Sequence, residues 1–170
     1  MLTFQIIYCL SMALFLGYLA VTIGKFGLTK SYSNFYYLWE EAKPGSGISF
    51  YIVNILLVFG VMMVGLELSK NSNWQMLAFF FPAALAFVAA APRFKNRWEG
   101  IIHFTSALLC AISAVLWCIL VAHMWYLIPI AVLLMLILAL CTRSLRTSLT
   151  FWAEMAAFTA TFTSIGIMLF

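Results

Sequence analysis

The sequence predicts an all-α fold, a polytopic transmembrane helical bundle of six spans with a short cytoplasmic-side interfacial helix around 31–41. Three observations predict it. Of the 170 residues, 66% are apolar or aromatic and only 8% are charged, whereas soluble domains run nearer half apolar and a quarter charged. The mean hydropathy is +1.09, so a water-soluble globule of this size could not hide the apolar surface, and a disordered chain is excluded for the same reason. Finally, apolar runs approaching the ~20 residues that cross hydrocarbon recur between turn and charge signals.

The spans fall at 3–23, 48–68, 73–91, 100–122, 125–141 and 148–170. In hydrocarbon every backbone N–H and C=O must find an internal partner, so these are helices rather than open sheet. A transmembrane barrel would alternate apolar and polar residues, and 77–81 and 130–140 do not. The first span lacks a basic leader and exceeds the usual signal-peptide apolar run, so it is read as retained. The third carries Pro82, which breaks one helical hydrogen bond, and Ala83, Ala86 and Ala90, which permit close backbone approach. The fifth has Pro129 in its first turn, where proline is tolerated. It has almost no polar side chain, which places it at the lipid-facing periphery. With no long linker and no internal repeat, residues 1–170 form a single transmembrane domain.

The stretch between the first two spans is aromatic. On a helix, Tyr32, Phe35, Tyr36 and Trp39 share one face at i, i+3, i+4 and i+7, which suits a helix lying in the headgroup region. Pro44, Gly45, Ser46 and Gly47 then turn the chain into the second span.

Eight of the nine basic residues lie in the first, third and fifth loops, and Lys70 alone lies opposite. Short cytoplasmic loops collect Lys and Arg, so both termini are expected on the non-cytoplasmic side of a bacterial inner membrane. Arg93, Lys95, Arg97, Arg143 and Arg146 form a cytoplasmic basic rim, suited to anionic lipid. Nucleic acid is not an expected partner, because no soluble domain exists to shape a groove.

The few polar side chains inside the spans form two stripes. In the fourth span Glu99, His103, Ser106, Cys110, Ser113 and Trp117 step by three and four; in the sixth Thr147, Thr150, Glu154, Ala157, Thr161 and Ser164 do the same. Such stripes avoid lipid and turn toward other helices or water. Glu154, His103, Glu99, Ser106 and Thr150 are therefore the candidates for a polar cavity open to the cytoplasm. The functional reading is a titratable Glu/His pair; the structural alternative is a bond tying two helices together. Asn54 is expected to make an interhelical hydrogen bond. Glu67 and His123 read as interfacial.

Several chemistries are excluded. All five acidic residues are glutamates, which removes Asp-based triad and phosphoryl-transfer motifs. The sequences HExxH, GxSxG and Walker A do not occur. The two histidines sit about 30 Å apart along one helix, by the rise per residue, so one chain cannot place both on a single metal or haem. The four cysteines are dispersed and read as small apolar residues. No cofactor and no metal is expected, and no catalytic residue is assigned.

One segment has a family likeness. Phe87, Val88, Ala89, Ala90, Ala91, Pro92, Arg93, Phe94 and Lys95, followed by Trp98, Glu99 and His103, form one motif. Ser31, Ser33, Tyr36 and Tyr37 form a second. Together they resemble a family of small polytopic membrane proteins, of no assigned activity, from Bacteroides-type gut bacteria and their phages. The likeness spans about residues 1–125, with specificity in these two motifs. It implies that the third-to-fourth loop, Glu99, His103 and the 31–37 segment form one cytoplasmic-side unit.

Three functions stay open from the residues. The first is a small channel, pore or carrier with a cytoplasm-facing polar cavity, assembled as a homo-oligomer if a wide pore is needed. The second is a non-catalytic module that binds lipid or another membrane protein. The third is a lipid-acting enzyme using Glu99, His103 and Glu154 as acid and base.

Overall fold

The computed structural model describes residues 1–90 and 97–170, and the described chain is all-helical. Its elements are α1 (Leu2–Phe26), α2 (Asn34–Ala42), α3 (Ile48–Leu68), α4 (Leu77–Ala90), α5 (Arg97–Leu120), α6 (Leu127–Cys141) and α7 (Leu149–Leu169). Four helices, α1, α3, α5 and α7, are long and apolar enough to cross a membrane. The others are apolar but shorter: α4 has 14 residues and α6 has 15. The expected third span loses its first turn, since 73–76 are turns that close with i→i+3 bonds such as Leu77 N–H to Trp74 O at 3.0 Å. Arg93 and Lys95 of the expected basic rim lie outside the described residues, as do Ala91 and the rest of the family-like motif through Lys95.

Helix ends follow local chemistry. α1 stops at Gly27, whose φ of +77° is left-handed and favours glycine; its N–H donates to Ile23 O at 2.8 Å. After α2, the Glu40 carboxylate accepts from the N–H groups of Gly45 and Gly47 at 3.1 Å, which fixes the turn into α3. A Cβ on Gly47 would stand 2.6 Å from the Tyr36 ring, so the close seating of α2 on α3 requires glycine there.

Packing runs in a folded line. α4 lies between α3 and α5, α1 covers the other side of α3, α7 touches α5, α3 and α1, and α6 rests on α7. Lipid gives helices no hydrophobic reason to associate, so small residues decide where backbones meet. A Cβ on Gly60 of α3 would stand 2.0 Å from Ser11 Oγ of α1, and one on Gly65 would stand 3.3 Å from Ala78 Cβ of α4. The small buried residues of α4 are Ala78, Ala84 and Ala89, whereas the expected Ala83 and Ala86 are half-buried and Ala90 is exposed. The two termini share one end of the bundle, where Gln5 Nε2 donates to Leu169 O at 2.9 Å and Tyr8 Oη to Phe162 O at 2.7 Å.

The interfacial helix needs a correction. α2 begins at Asn34, after Tyr32, and most of its aromatic face packs into the protein. Tyr32, Phe35 and Tyr36 are at most 2% exposed and belong to the core. The Tyr32 ring packs 5.7 Å from Phe15 of α1, 5.2 Å from Phe50 of α3 and 5.7 Å from Phe158 of α7. Edge-to-face and tilted contacts are the favoured arrangements of aromatic rings. Only Trp39 keeps a half-buried position; its Nε1 donates to Thr22 Oγ1 at 3.1 Å, and Lys25 Nζ lies 4.2 Å from its ring.

Candidate functional site

The site forms where the segment after α1 meets the start of α7. The first turn of any helix leaves N–H groups without intrahelical partners. Here Phe151 N–H, in that first turn of α7, donates to Lys30 O at 3.0 Å. One turn further, Glu154 Oε2 accepts from Tyr32 N–H at 2.6 Å. A carboxylate that takes a backbone N–H makes one of the stronger hydrogen bonds available to a protein. The 30–32 backbone is thus held to α7 at two points, and Thr29 Oγ1 stiffens it by donating to Ser31 O at 2.7 Å.

Glu154 also lines a cavity of about 80 Å³. Val58 and Val61 come from α3, Phe81, Pro82, Leu85 and Val88 from α4, and Phe158, Thr161 and Phe162 from α7. From α5 the lining is Ala107, Cys110, Ala111 and Ala114, an i, i+3, i+4, i+7 row of small residues. The walls are therefore apolar, and Glu154 supplies the charge. Among the described residues, Tyr32 N–H is the hydrogen-bond donor to this carboxylate, and it takes Oε2. Burial pushes the neighbouring Tyr32 phenol far above its usual range, with smaller contributions from Tyr18 and Glu154, so it stays neutral at any physiological pH.

The expected Glu/His layer is rearranged. His103 is 4% exposed, well inside the protein. However, the α5 wall of the cavity begins one turn beyond it, at Ala107, and Glu154 is bonded to Tyr32. Glu99 and Ser106 are half-buried on the same α5 face and do not line this cavity. Thr150 is exposed and also outside it; it lies on the outward side of α7, next to Phe151, which is 1% exposed. Arg97, Arg143 and Arg146 are exposed at this same end of the bundle.

The two polar stripes do meet, but deeper. Cys118 Sγ of α5 lies 3.9 Å from Thr161 Oγ1, and Ser164 Oγ of α7 lies 3.5 Å from Cys118 Sγ. Ser113 and Trp117 are buried beside this seam, and Trp117 Nε1 donates to Ser69 Oγ at 2.8 Å. Asn54 corrects another expectation. It is fully buried, but its Nδ2 donates to Phe50 O of its own helix at 2.7 Å rather than across to another. Glu67 pairs with Lys70 at 2.6 Å on the surface, and His123 is exposed.

A second cavity, about 310 Å³, opens between α5, α6 and α7. It is lined by Ile128, Val132, Met135 and Leu136 of α6 and by Trp152, Ala153, Ala156 and Ala160 of α7, with Cys118 and Thr161 at its base. Among the described residues no three His, Cys, Asp or Glu side chains come together as a metal site would need.

Sequence reasoning missed Tyr32 N–H as the partner of Glu154. The signal was present, because a carboxylate at membrane depth needs a donor. The small-residue row of α5 was equally legible but was overshadowed by the polar residues beside it. Comparison with known family models, curated proteins and solved structures gave no match.

Proposed function

We propose that this chain is a small carrier-like membrane bundle whose working site is the Glu154 cavity, loaded from the cytoplasmic side with a small cation, the proton included. One observation carries the reading. A carboxylate one turn into a span lines an otherwise apolar cavity, and among the described residues only one of its two oxygens takes a hydrogen bond. Charged side chains at membrane depth are costly and mark ion or proton pathways. The apolar walls favour a carrier over an open pore, since no continuous polar lining runs through the described residues. His103, Glu99 and Ser106 stand one turn nearer the same end and serve as the approach to the cavity.

Six crossings fit this reading. α3 ends where α5 ends, as the Trp117–Ser69 bond requires, so the intervening α4 carries the chain back across the bundle. α6 does the same between α5 and α7. At about 21–22 Å by the helical rise, both are shorter than the hydrocarbon, and mismatch of this size is met by thinning of the bilayer or by flanking turns. The charge asymmetry supports non-cytoplasmic termini in a bacterial inner membrane, with anionic lipid at the rim. A relationship to the Bacteroides-type family belongs to the same proposal.

The test is flux in proteoliposomes with an internal pH or cation dye. Wild-type protein is expected to dissipate an imposed gradient. Glu154→Gln keeps the size and the acceptor for Tyr32 N–H but removes the charge, and is expected to lower the rate at least tenfold. Equal rates for the two would reject Glu154 as the carrier group.

A second reading, a non-catalytic module for lipid or a membrane-protein partner, is favoured by the larger apolar cavity and the exposed α6 face beside it. Native mass spectrometry from mild detergent separates the two. Retained lipid or a co-purified partner, with no flux, would replace the carrier.

A further inference from the structure

Three polar side-chain atoms among the described residues are shut off from solvent and make no hydrogen bond: Tyr18 Oη, Tyr32 Oη and Asn54 Oδ1. They come from three elements, α1, the 27–33 segment and α3, yet they gather around one turn of α3. The Tyr18 and Tyr32 rings both pack on Phe50, at 6.4 Å and 5.2 Å. Asn54 sits one turn on from Phe50 and is anchored to its carbonyl. The Tyr32 hydroxyl faces both Asn54 and Tyr18. Tyr18 in turn faces Thr22, Ser49 and Trp39.

Buried polar atoms in proteins are almost always satisfied, so each exception needs an explanation. Three exceptions around one point share one. We propose that this pocket is a binding site for a single internal water bridging Tyr18, Tyr32 and Asn54. The hydrogen-bond arithmetic closes. The Asn54 carbonyl can only accept, whereas each hydroxyl can donate or accept. A water that donates to Asn54 Oδ1 and to one tyrosine oxygen, and accepts from the other tyrosine, satisfies all three atoms. Three bonds is also the usual valence of a buried water. The three protein ligands are neutral oxygens, and the nearby Glu154 carboxylate is held by the Tyr32 main chain, so the donor set suits water better than a metal cation.

The water makes Tyr32 a two-ended peg. Its N–H fastens α7 through Glu154, and its hydroxyl fastens α1 and α3 through the water. This inference does not depend on what the Glu154 cavity carries.

Thermal unfolding of the full chain in nanodiscs tests it, with Tyr18→Phe, Tyr32→Phe and the double variant. Phenylalanine preserves the ring packing, so the fold is kept. If the water is present, each single change breaks a satisfied network and lowers Tm by about 2–4 °C. The double variant loses less than the sum, because both hydroxyls serve one water. If the hydroxyls face nothing, removing an unpaired buried polar group leaves Tm unchanged or raises it, and the proposal is overturned. Radiolytic hydroxyl labelling gives a second readout. Tyr32, although 2% exposed, is expected to be oxidised by radicals from its bound water, and less so in Tyr18→Phe; no labelling of Tyr32 in the wild type overturns the site. A wild-type Tm that rises with sodium but not with choline, and no longer does so in Tyr32→Phe, would put a cation there and equally overturn it.

Discussion

α3 and α6 look alike on paper. Both are strongly apolar, and neither has a strongly one-sided distribution of hydrophobic residues. In the fold they are opposites. α3 buries nine of its 21 residues and touches α1, α2, α4 and α7, whereas α6 buries only Ala131 and Ala139 and leaves Ile130, Leu133, Ile137 and Leu140 outward. In water, hydrophobicity would decide which face turns inward. In lipid it decides nothing, because acyl chains are as apolar as leucine. What separates the two helices is size and polarity: α3 has Gly60, Gly65 and Asn54, and α6 has two alanines, which are the two residues it buries.

That comparison can be broken by mutation. The largest effect is expected at Trp117, which is fully buried and bonded to Ser69 at the end of α3. Trp117→Ala should cost about 3–5 kcal/mol, measured by chemical unfolding in micelles; a loss under about 1 kcal/mol would mean that the α3 end is not locked there. Gly60→Leu should cost about 2–3 kcal/mol by overpacking, since even a Cβ collides with Ser11. Full stability in this variant would show that α1 and α3 do not meet at Gly60.

The same logic predicts that α6 has one sensitive stripe. Ala139 is fully buried, and Ala139→Leu should cost about 1–2 kcal/mol, comparable to a core change on α3. Leu133→Ala, on its outward face, should stay within about 0.5 kcal/mol. Equal effects at Ala139 and Leu133 would erase the distinction drawn here.

A pH titration sharpens the α3 side alone. Burial holds the folded-state Tyr32 phenol above its usual value of 10.0, which the unfolded chain retains. Stability from this group is therefore fully present below pH 10 and is lost as pH rises beyond it, by up to about 1.4 kcal/mol per unit. Tyr32→Phe should lose that alkaline slope, although other buried tyrosines will leave a residual one. An unchanged slope would place the Tyr32 phenol in contact with bulk solvent.

Helix positions were legible because they depend on long apolar runs and on Pro and Gly signals; α3 falls at the predicted 48–68. The inward turn of α5 and α7 was legible too, since Cys110, Ser113, Thr161 and Ser164 would be costly against lipid. The partners were not. Whether Glu154 meets His103 or Tyr32 depends on how far α7 rises relative to α5 and on where the 27–33 segment returns, and neither leaves a periodic trace in the chain. The aromatic face of residues 32–39 was visible as a face, but an amphipathic pattern does not say whether its apolar side meets headgroups or other rings.

The two bonds that seat residues 30–32 on α7 join parts of the polypeptide separated by more than a hundred residues, 122 in the case of Tyr32 and Glu154. During synthesis the first loop therefore emerges long before its dock exists. Until α7 is made, Tyr32 and Phe35 lack their ring partners Phe158 and Phe151. Loss of α7 thus unseats a segment more than a hundred residues earlier in the chain.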